Sequence, residues 1–121
     1  MASGTPEMIR TAVEGLQSEV PSLAKLKLVI GLELRGRGDV QVYRVELPGP
    51  KISKGFADDE RVHVSIPRSH FNELAADGRL GHWHEAYDYG HIKIDGDPKI
   101  QQLIGQLMEH AEARGRLRKA R

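Results

Sequence analysis

The stretch that decides the fold is YGHIKIDGDPKIQQLIGQLMEH, Tyr89–His110, in which an alternating segment gives way to a helical pattern within a few residues. Apolar and polar residues alternate over His91–Asp95, as expected for a strand with one buried face. Gly96 permits the backbone to reverse after this strand. Asp97 suits a helix N-cap, and Pro98 suits the first helical position. The stretch therefore predicts a last strand that runs directly into a helix.

The predicted final helix carries a broad apolar stripe. Its apolar positions, at i, i+3, i+4, i+7, i+8 and i+11, are Ile100, Leu103, Ile104, Leu107, Met108 and Ala111. A stripe of this width is typical of a helix that packs along a core on one side and faces water on the other. We expect this helix to lie across a sheet built by the preceding residues.

A hairpin is predicted upstream. Leu26–Leu34 alternates cleanly, Arg35–Asp39 (RGRGD) has the composition of a turn, and Val40–Leu47 returns as a second strand. The apolar positions change parity along the second strand. This change predicts a β-bulge near Tyr43.

Two more strands and three more helices complete the pattern. Lys51–Phe56 is predicted to be a short strand with Ile52 and Phe56 pointing inward, and Arg61–Ile66 alternates as a longer one. Helices are predicted from Thr5 onward, from Pro67 onward and over Leu80–Tyr89.

These elements predict an α+β fold with a largely antiparallel five-stranded sheet covered on one face by helices. The chain of 121 residues is long enough for one domain and short for two. We predict a flexible N-terminus over residues 1–5, a single domain over residues 6–112 and a basic C-terminal tail over residues 113–121.

Composition excludes several classes of function. The chain has no cysteine, which rules out disulfides, thiolate zinc sites and cysteine nucleophiles. The net charge of +1 gives no overall signal for a polyanionic partner. No stretch approaches the roughly 18 apolar residues of a membrane span, and the N-terminal residues lack the pattern of a signal peptide. We expect a cytoplasmic protein.

Several segments resemble the sterol carrier protein type-two family of lipid-binding domains. Val62–Leu74 (VHVSIPRSHFNEL) is similar to the family's strand that runs into a helix, and Asp77–Leu80 is similar to the short linker that follows. Ala86–Asp97 (AYDYGHIKIDGD) is similar to the family's most recognisable segment, with its alanine, glycine, short strand and Gly-Asp turn. Tyr43–Leu47 is less closely similar to the family's second strand, and it has tyrosine where tryptophan is common.

The resemblance extends roughly from Pro6 to Met108. The histidine-rich segment Gly81–Glu85 and the basic C-terminal residues depart from the family pattern, and the ending Lys-Ala-Arg is not a peroxisomal signal. The resemblance implies an apolar tunnel between sheet and helices that accepts a sterol, a fatty acyl chain or an isoprenoid lipid. It implies binding, transfer or presentation of the ligand without catalysis and without a cofactor.

The predicted lipid-binding residues are apolar side chains from the sheet, the second helix and the final helix. They are Leu28, Ile30, Leu32, Val64, Phe71, Leu74, Leu103 and Leu107. Burying each methylene of a ligand contributes about 0.8 kcal/mol, so aliphatic walls alone give useful affinity. The same residues would also fill a solid core, and periodicity does not distinguish a hollow core from a packed one.

A metal site is the first competing hypothesis. His82, His84, Asp88 and His91 lie within one short segment, and their side chains are of types that bind zinc. His82 and His84 point to different sides of a helix, however, and no established zinc spacing is present. We therefore predict no metal ligands.

Serine chemistry and phosphate binding are also weakly supported. Ser65 and Ser69 lack the G-x-S-x-G context of a nucleophile. Arg35–Asp39 has two glycines but no Gly-Lys-Ser, so it is interpreted as a hairpin turn. We predict no catalytic residues.

The basic tail suggests a second kind of function. Its cations are Arg114, Arg116, Arg118, Lys119 and Arg121. Each could add about 1 kcal/mol of attraction to an anionic membrane surface. Nucleic acid is a less favoured partner because no aromatic residues stand among these cations. A nucleic-acid or protein-interaction module acting through this tail is the alternative to lipid binding.

Overall fold

The computed structural model describes residues 4–77 and 79–119, without the side chains of Asp77 and residues 115–119. The elements are α1 (Thr5–Glu19), a 3₁₀ turn (Pro21–Lys25), β1 (Leu28–Arg35), β2 (Val40–Leu47), β3 (Lys51–Lys54), β4 (Val62–Pro67), α2 (Arg68–Asp77), α3 (Leu80–Asp88), β5 (Lys93–Gly96) and α4 (Pro98–Lys119). The predicted order of helices and strands is confirmed, with bounds that differ by a few residues.

The five strands form one mixed sheet in the order β3-β2-β1-β4-β5. β1 pairs antiparallel with β2 but parallel with β4, and the remaining pairs are antiparallel. The prediction of a largely antiparallel sheet is therefore wrong. Residues 55–61 carry the chain from the β3 edge past β2 and β1, so β4 enters on the far side of β1 in the same direction. Alternation of side chains reveals which face is buried but not the direction of a strand.

The core lies on the face of the sheet that the helices cover. Leu34 and Ile66, which are Cα partners in the parallel pair, are almost completely buried. Phe71 from α2 and Trp83 from α3 pack edge to face above the sheet, with ring centroids 6.2 Å apart. Burial of side chains of this size contributes about 1.5–3 kcal/mol each.

Two local predictions in the sheet are wrong. The β1–β2 pairing runs without interruption from Leu28 opposite Leu47 to Arg35 opposite Val40, so there is no bulge near Tyr43. β2 is one regular strand throughout, and Tyr43 lies on its inward face. Phe56 was expected inward but lies beyond the end of β3, where 83% of its surface is exposed.

The joint between β5 and α4 has the predicted geometry. Gly96 has φ of +125°, a conformation that L-residues rarely adopt. The Oδ1 atom of Asp97 accepts a hydrogen bond from the backbone N–H of Lys99 at 2.9 Å, as an N-cap does. Arg61 donates to the other carboxylate oxygen of Asp97 at 2.7 Å. This hydrogen bond, followed by the one from Lys99, holds the pKa of Asp97 below its usual range.

A polar cluster lies on the opposite, open face of the sheet. His63 contacts Glu60 through Nδ1 at 3.1 Å and Glu33 through Nε2 at 3.0 Å. Gly31 provides the space, because a Cβ there would lie 1.7 Å from Oε1 of Glu60. Burial alone lowers the pKa of His63, but the hydrogen bonds to Glu33 and Glu60 outweigh burial and raise it above the ordinary value.

Replacement of Gly96 by alanine should destabilise the fold, whereas the same change at Gly105 should stabilise it. A Cβ at Gly96 would lie 2.4 Å from the carbonyl oxygen of Arg61, in addition to the strain of a positive φ. We expect Gly96→Ala to lower the free energy of unfolding by about 1–3 kcal/mol. Gly105 lies inside α4 with no atom near its Cβ position, so Gly105→Ala should add about 0.5–1 kcal/mol. Urea denaturation measures both, and equal stability of the two variants would contradict the geometry of the joint.

The cluster around His63 should make stability depend on pH. Because its pKa is raised in the folded state, the imidazolium stabilises the fold fully below the unfolded pKa of about 6.5. That contribution is lost as the pH rises through the folded pKa. Urea denaturation of the wild type between pH 6 and pH 9 should therefore show stability falling with rising pH, measured against His63→Gln. A difference between the two proteins that does not change with pH would refute the assignment.

Candidate functional site

Part of the covered face of the sheet remains accessible to solvent. Ile30 lies on the central strand between Val45 and Val62, which are 2% and 1% exposed, yet Ile30 itself is only partly buried. Val64 and Ile94, which pair across β4 and β5, are also partly buried. A fully packed interior would leave no accessible area at such positions. The sheet therefore presents aliphatic surface that the protein does not completely fill.

Helix α4 presents matching side chains. Ile100, Ile104 and Met108 pack against the main core from α4, and each of them is only partly buried. We call the set Ile30, Val64, Ile94, Ile100, Ile104 and Met108 the aliphatic surface. These side chains are all apolar, so the surface is suited to contact with an apolar group.

The structure distributes the eight sequence-predicted site residues over several environments. Leu28, Leu32 and Phe71 are buried in the main core, whereas Ile30 and Val64 belong to the aliphatic surface. Leu107 packs with a smaller cluster formed by Val20, Leu23, Leu80 and Ala111. Leu103 is partly buried on α4, and Leu74 lines two clefts between helices. The residues of α4 that pack against the main core are thus Ile100, Ile104 and Met108. They lie one turn or less from Leu103 and Leu107, which the sequence suggested.

A cleft with a volume of about 600 Å³, called the large cleft below, lies beside α3. Its lining is His70, Glu73, Leu74, Ala76, His82, Glu85, Ala86, Tyr89 and His91. The rings of His70 and His91 stack with centroids 4.1 Å apart, and Nδ1 of His70 is buried without a hydrogen-bond partner in the described part of the chain. Histidine, glutamate and tyrosine side chains make up most of this lining, so the cleft offers hydrogen-bonding groups beside apolar surface.

A smaller cleft of about 150 Å³ lies between α1, α2 and Trp83. Its lining is Thr11, Ala12, Gly15, Leu16, Leu74, Ala75, Ala76 and Trp83. It shares Leu74 and Ala76 with the large cleft, so the end of α2 separates the two. No single residue signals either cleft in the sequence, because each cleft lies between separate helices.

The histidines of the 82–91 segment make separate contacts. His82 accepts a hydrogen bond from the backbone N–H of Arg79 at 3.0 Å and so caps α3. His84 contacts Glu112 and lies 3.6 Å from Asp88, while His91 stacks on His70. Within residues 4–77 and 79–119, no three histidines or carboxylates are placed to hold a metal ion together.

Most side chains of the basic tail are not described. Arg114 is exposed on α4, whose backbone continues to Lys119. The side chains of Arg116, Arg118 and Lys119, and all of Arg121, are not described, so the partners predicted for the tail stay predictions. None of the described helices combines the length and apolar character that a membrane crossing requires.

No protein-family model matches the sequence, and no curated protein matches it.

Solved structures share this architecture over most of their length. The sterol carrier protein domain 2 of Helicoverpa armigera matches with a TM-score of 0.61 at 17% identity, over 92% of this chain and 94% of that one. Palmitated sterol carrier protein 2-like 2 from Aedes aegypti matches with a TM-score of 0.59 at 19% identity, over 85% and 93%. Sterol carrier protein 2 from Aedes aegypti, in complex with the C16 fatty acid palmitate, matches with a TM-score of 0.57 at 14% identity, over 88% and 96%. The chain has the fold of sterol carrier protein 2, as the sequence resemblance implied.

Proposed function

We propose that this protein binds a lipid with a long apolar chain between α4 and the sheet, and that it does so without catalysing a reaction. The observation that carries the proposal is the aliphatic surface, whose side chains face the core from both sides yet remain partly accessible. The fold supports the proposal, because two proteins of the same fold bear palmitate.

The energetics of an acyl chain suit this surface. A buried methylene contributes about 0.8 kcal/mol, so a chain buried along most of sixteen carbons gains roughly 10 kcal/mol before the costs of association and ordering. Ile30 and Val64 from the sheet and Ile104 from α4 would contact such a chain from opposite sides. No hydrogen bond is needed for this gain, so apolar side chains alone would suffice.

The ligand class is broader than one molecule. Sterols, fatty acyl chains and isoprenoid lipids all present the aliphatic groups that the aliphatic surface can bind. Selection among them depends on shape and on how the polar end is placed. The large cleft beside α3, with His70 and His91 on one wall, is a region where a polar end could remain solvated. We infer a carrier or presenting role in which the lipid leaves unchanged.

Displacement of a fluorescent fatty acid by palmitate tests the proposal. The wild type should bind the probe saturably with a micromolar Kd, and palmitate should compete. Val64→Trp should weaken binding by about tenfold or more, because the larger ring occupies the space that the chain would take. Val40→Trp is the matched control, since Val40 lies on the same sheet but is 54% exposed, and it should bind like the wild type.

Two outcomes would contradict the proposal. The absence of saturable binding at micromolar protein would remove the function. Equal affinity of Val64→Trp and the wild type, with unchanged thermal stability, would contradict the proposed location of the site but not the proposed lipid binding. In that case the same pair of measurements on Ala76→Trp would test the clefts on either side of α2.

A further inference from the structure

Cations and exposed apolar side chains meet at the turn between β1 and β2. Arg35, the last residue of β1, is a Cα partner of both Val40 and Pro67, which places Arg68 at the start of α2 nearby. The backbone N–H of Gly55 donates to the carbonyl of Val42 at 2.8 Å, which brings Phe56 to the same end of β2. We call the set Arg35, Arg37, Val40, Lys54, Phe56 and Arg68 the hairpin corner.

The apolar part of the hairpin corner is unusually exposed. Phe56 is 83% exposed and Val40 is 54% exposed, although both are side chains that proteins normally bury. Neither packs against the main core. Gly55, with φ of +119°, turns the chain just before Phe56. The aromatic ring of Phe56 therefore projects into solvent directly after a sharp turn and does not form part of the edge of the core.

Positively charged side chains lie at the same end of the sheet as these two apolar side chains. Arg37 and Lys54 are exposed, and the buried Nε atoms of Arg35 and Arg68 have no hydrogen-bond partner among the described residues. Two acids, Asp39 and Asp58, lie in the adjoining turns. Asp39 is bound to Arg68 at 2.8 Å, and Asp58 is exposed.

The next acid along the chain is neutralised locally. Asp59 accepts hydrogen bonds from Nε and Nη2 of Arg44 at 3.0 and 2.6 Å. The hairpin corner thus keeps a surplus of positive charge next to a projecting aromatic ring.

We propose that the hairpin corner docks this protein on the surface of an anionic lipid bilayer. Phe56 would enter the interfacial region, where aromatic rings are favoured, while Arg37 and Lys54 would contact the headgroups. The inference extends the proposed function, because a carrier of apolar lipids must meet the membranes between which its cargo moves. An aromatic ring beside cations would also suit single-stranded nucleic acid, and the bilayer is chosen because the proposed cargo resides in membranes. Binding of a single-stranded oligonucleotide without binding of vesicles would overturn this choice.

Sedimentation of the full chain with vesicles tests this docking. We expect the protein to bind vesicles of phosphatidylcholine mixed with phosphatidylserine, to bind vesicles of phosphatidylcholine alone weakly, and to lose binding as salt increases. Arg37→Glu combined with Lys54→Glu should reduce the partition coefficient by about tenfold or more. Phe56→Ser should reduce it several-fold with little change in salt dependence, because no charge is altered.

Matched controls lie elsewhere on the surface. Lys25→Glu reverses an exposed cation near the opposite end of β1. Tyr89→Ser removes a 73% exposed aromatic ring after α3. Both variants should bind vesicles like the wild type. All variants should keep wild-type unfolding transitions.

Several results would overturn the proposal. Equal binding to both kinds of vesicle would remove the anionic surface as the partner. Wild-type binding by the corner variants, together with loss in Arg116→Glu combined with Arg118→Glu, would assign docking to the tail. Palmitate binding by Phe56→Ser separates the two hypotheses. If it is retained while vesicle binding falls, both hypotheses hold, and if the wild type docks but binds no fatty acid, only the proposed function fails.

Discussion

The reversal of the chain at Gly96 is the constraint on which the position of α4 depends. Gly96 completes the pairing of β5 with Val62, and Asp97 then donates its backbone N–H to the carbonyl of Arg61 at 2.9 Å. Arg61 also binds the Asp97 carboxylate. Arg61, which directly precedes β4, therefore fixes both the backbone and the N-cap residue at the start of α4. Without this reversal α4 could not return along the covered face. The aliphatic surface would then have only one wall.

The sequence predicted the elements well because their signals are local. Alternation identified the strands, and Asp97 and Pro98 located the start of α4 within one residue. The parallel pairing of β1 with β4 could not be predicted, since it depends on the path of residues 55–61 across the sheet. Phe56 was misplaced for a related reason: hydrophobicity alone does not distinguish a core residue from one that is presented to a partner.

The candidate site was harder to predict than the fold. An aliphatic residue carries the same pattern whether its neighbours fill the space beside it or leave it open, so Leu28 and Ile30 look alike in sequence but differ in burial. The stacking of His70 on His91 joins α2 to the segment before β5 and leaves no local trace. Gly31 gave a usable signal that was missed, since a glycine inside a strand often marks a close approach by another group, here Glu60.

The proposed ligand binding would couple to stability through the covered face of the sheet. Leu34 and Ile66 are sealed from water and supply cohesion, while Ile30 and Val64 on the same two strands leave apolar area exposed. That exposure makes the free protein less stable than a fully packed core would be. A bound apolar chain removes the same area from water, so it stabilises the folded state as it saturates. Under the proposed function, the residues that lower the stability of the free chain would also provide the affinity, so a mutation that fills the space should raise stability and weaken binding.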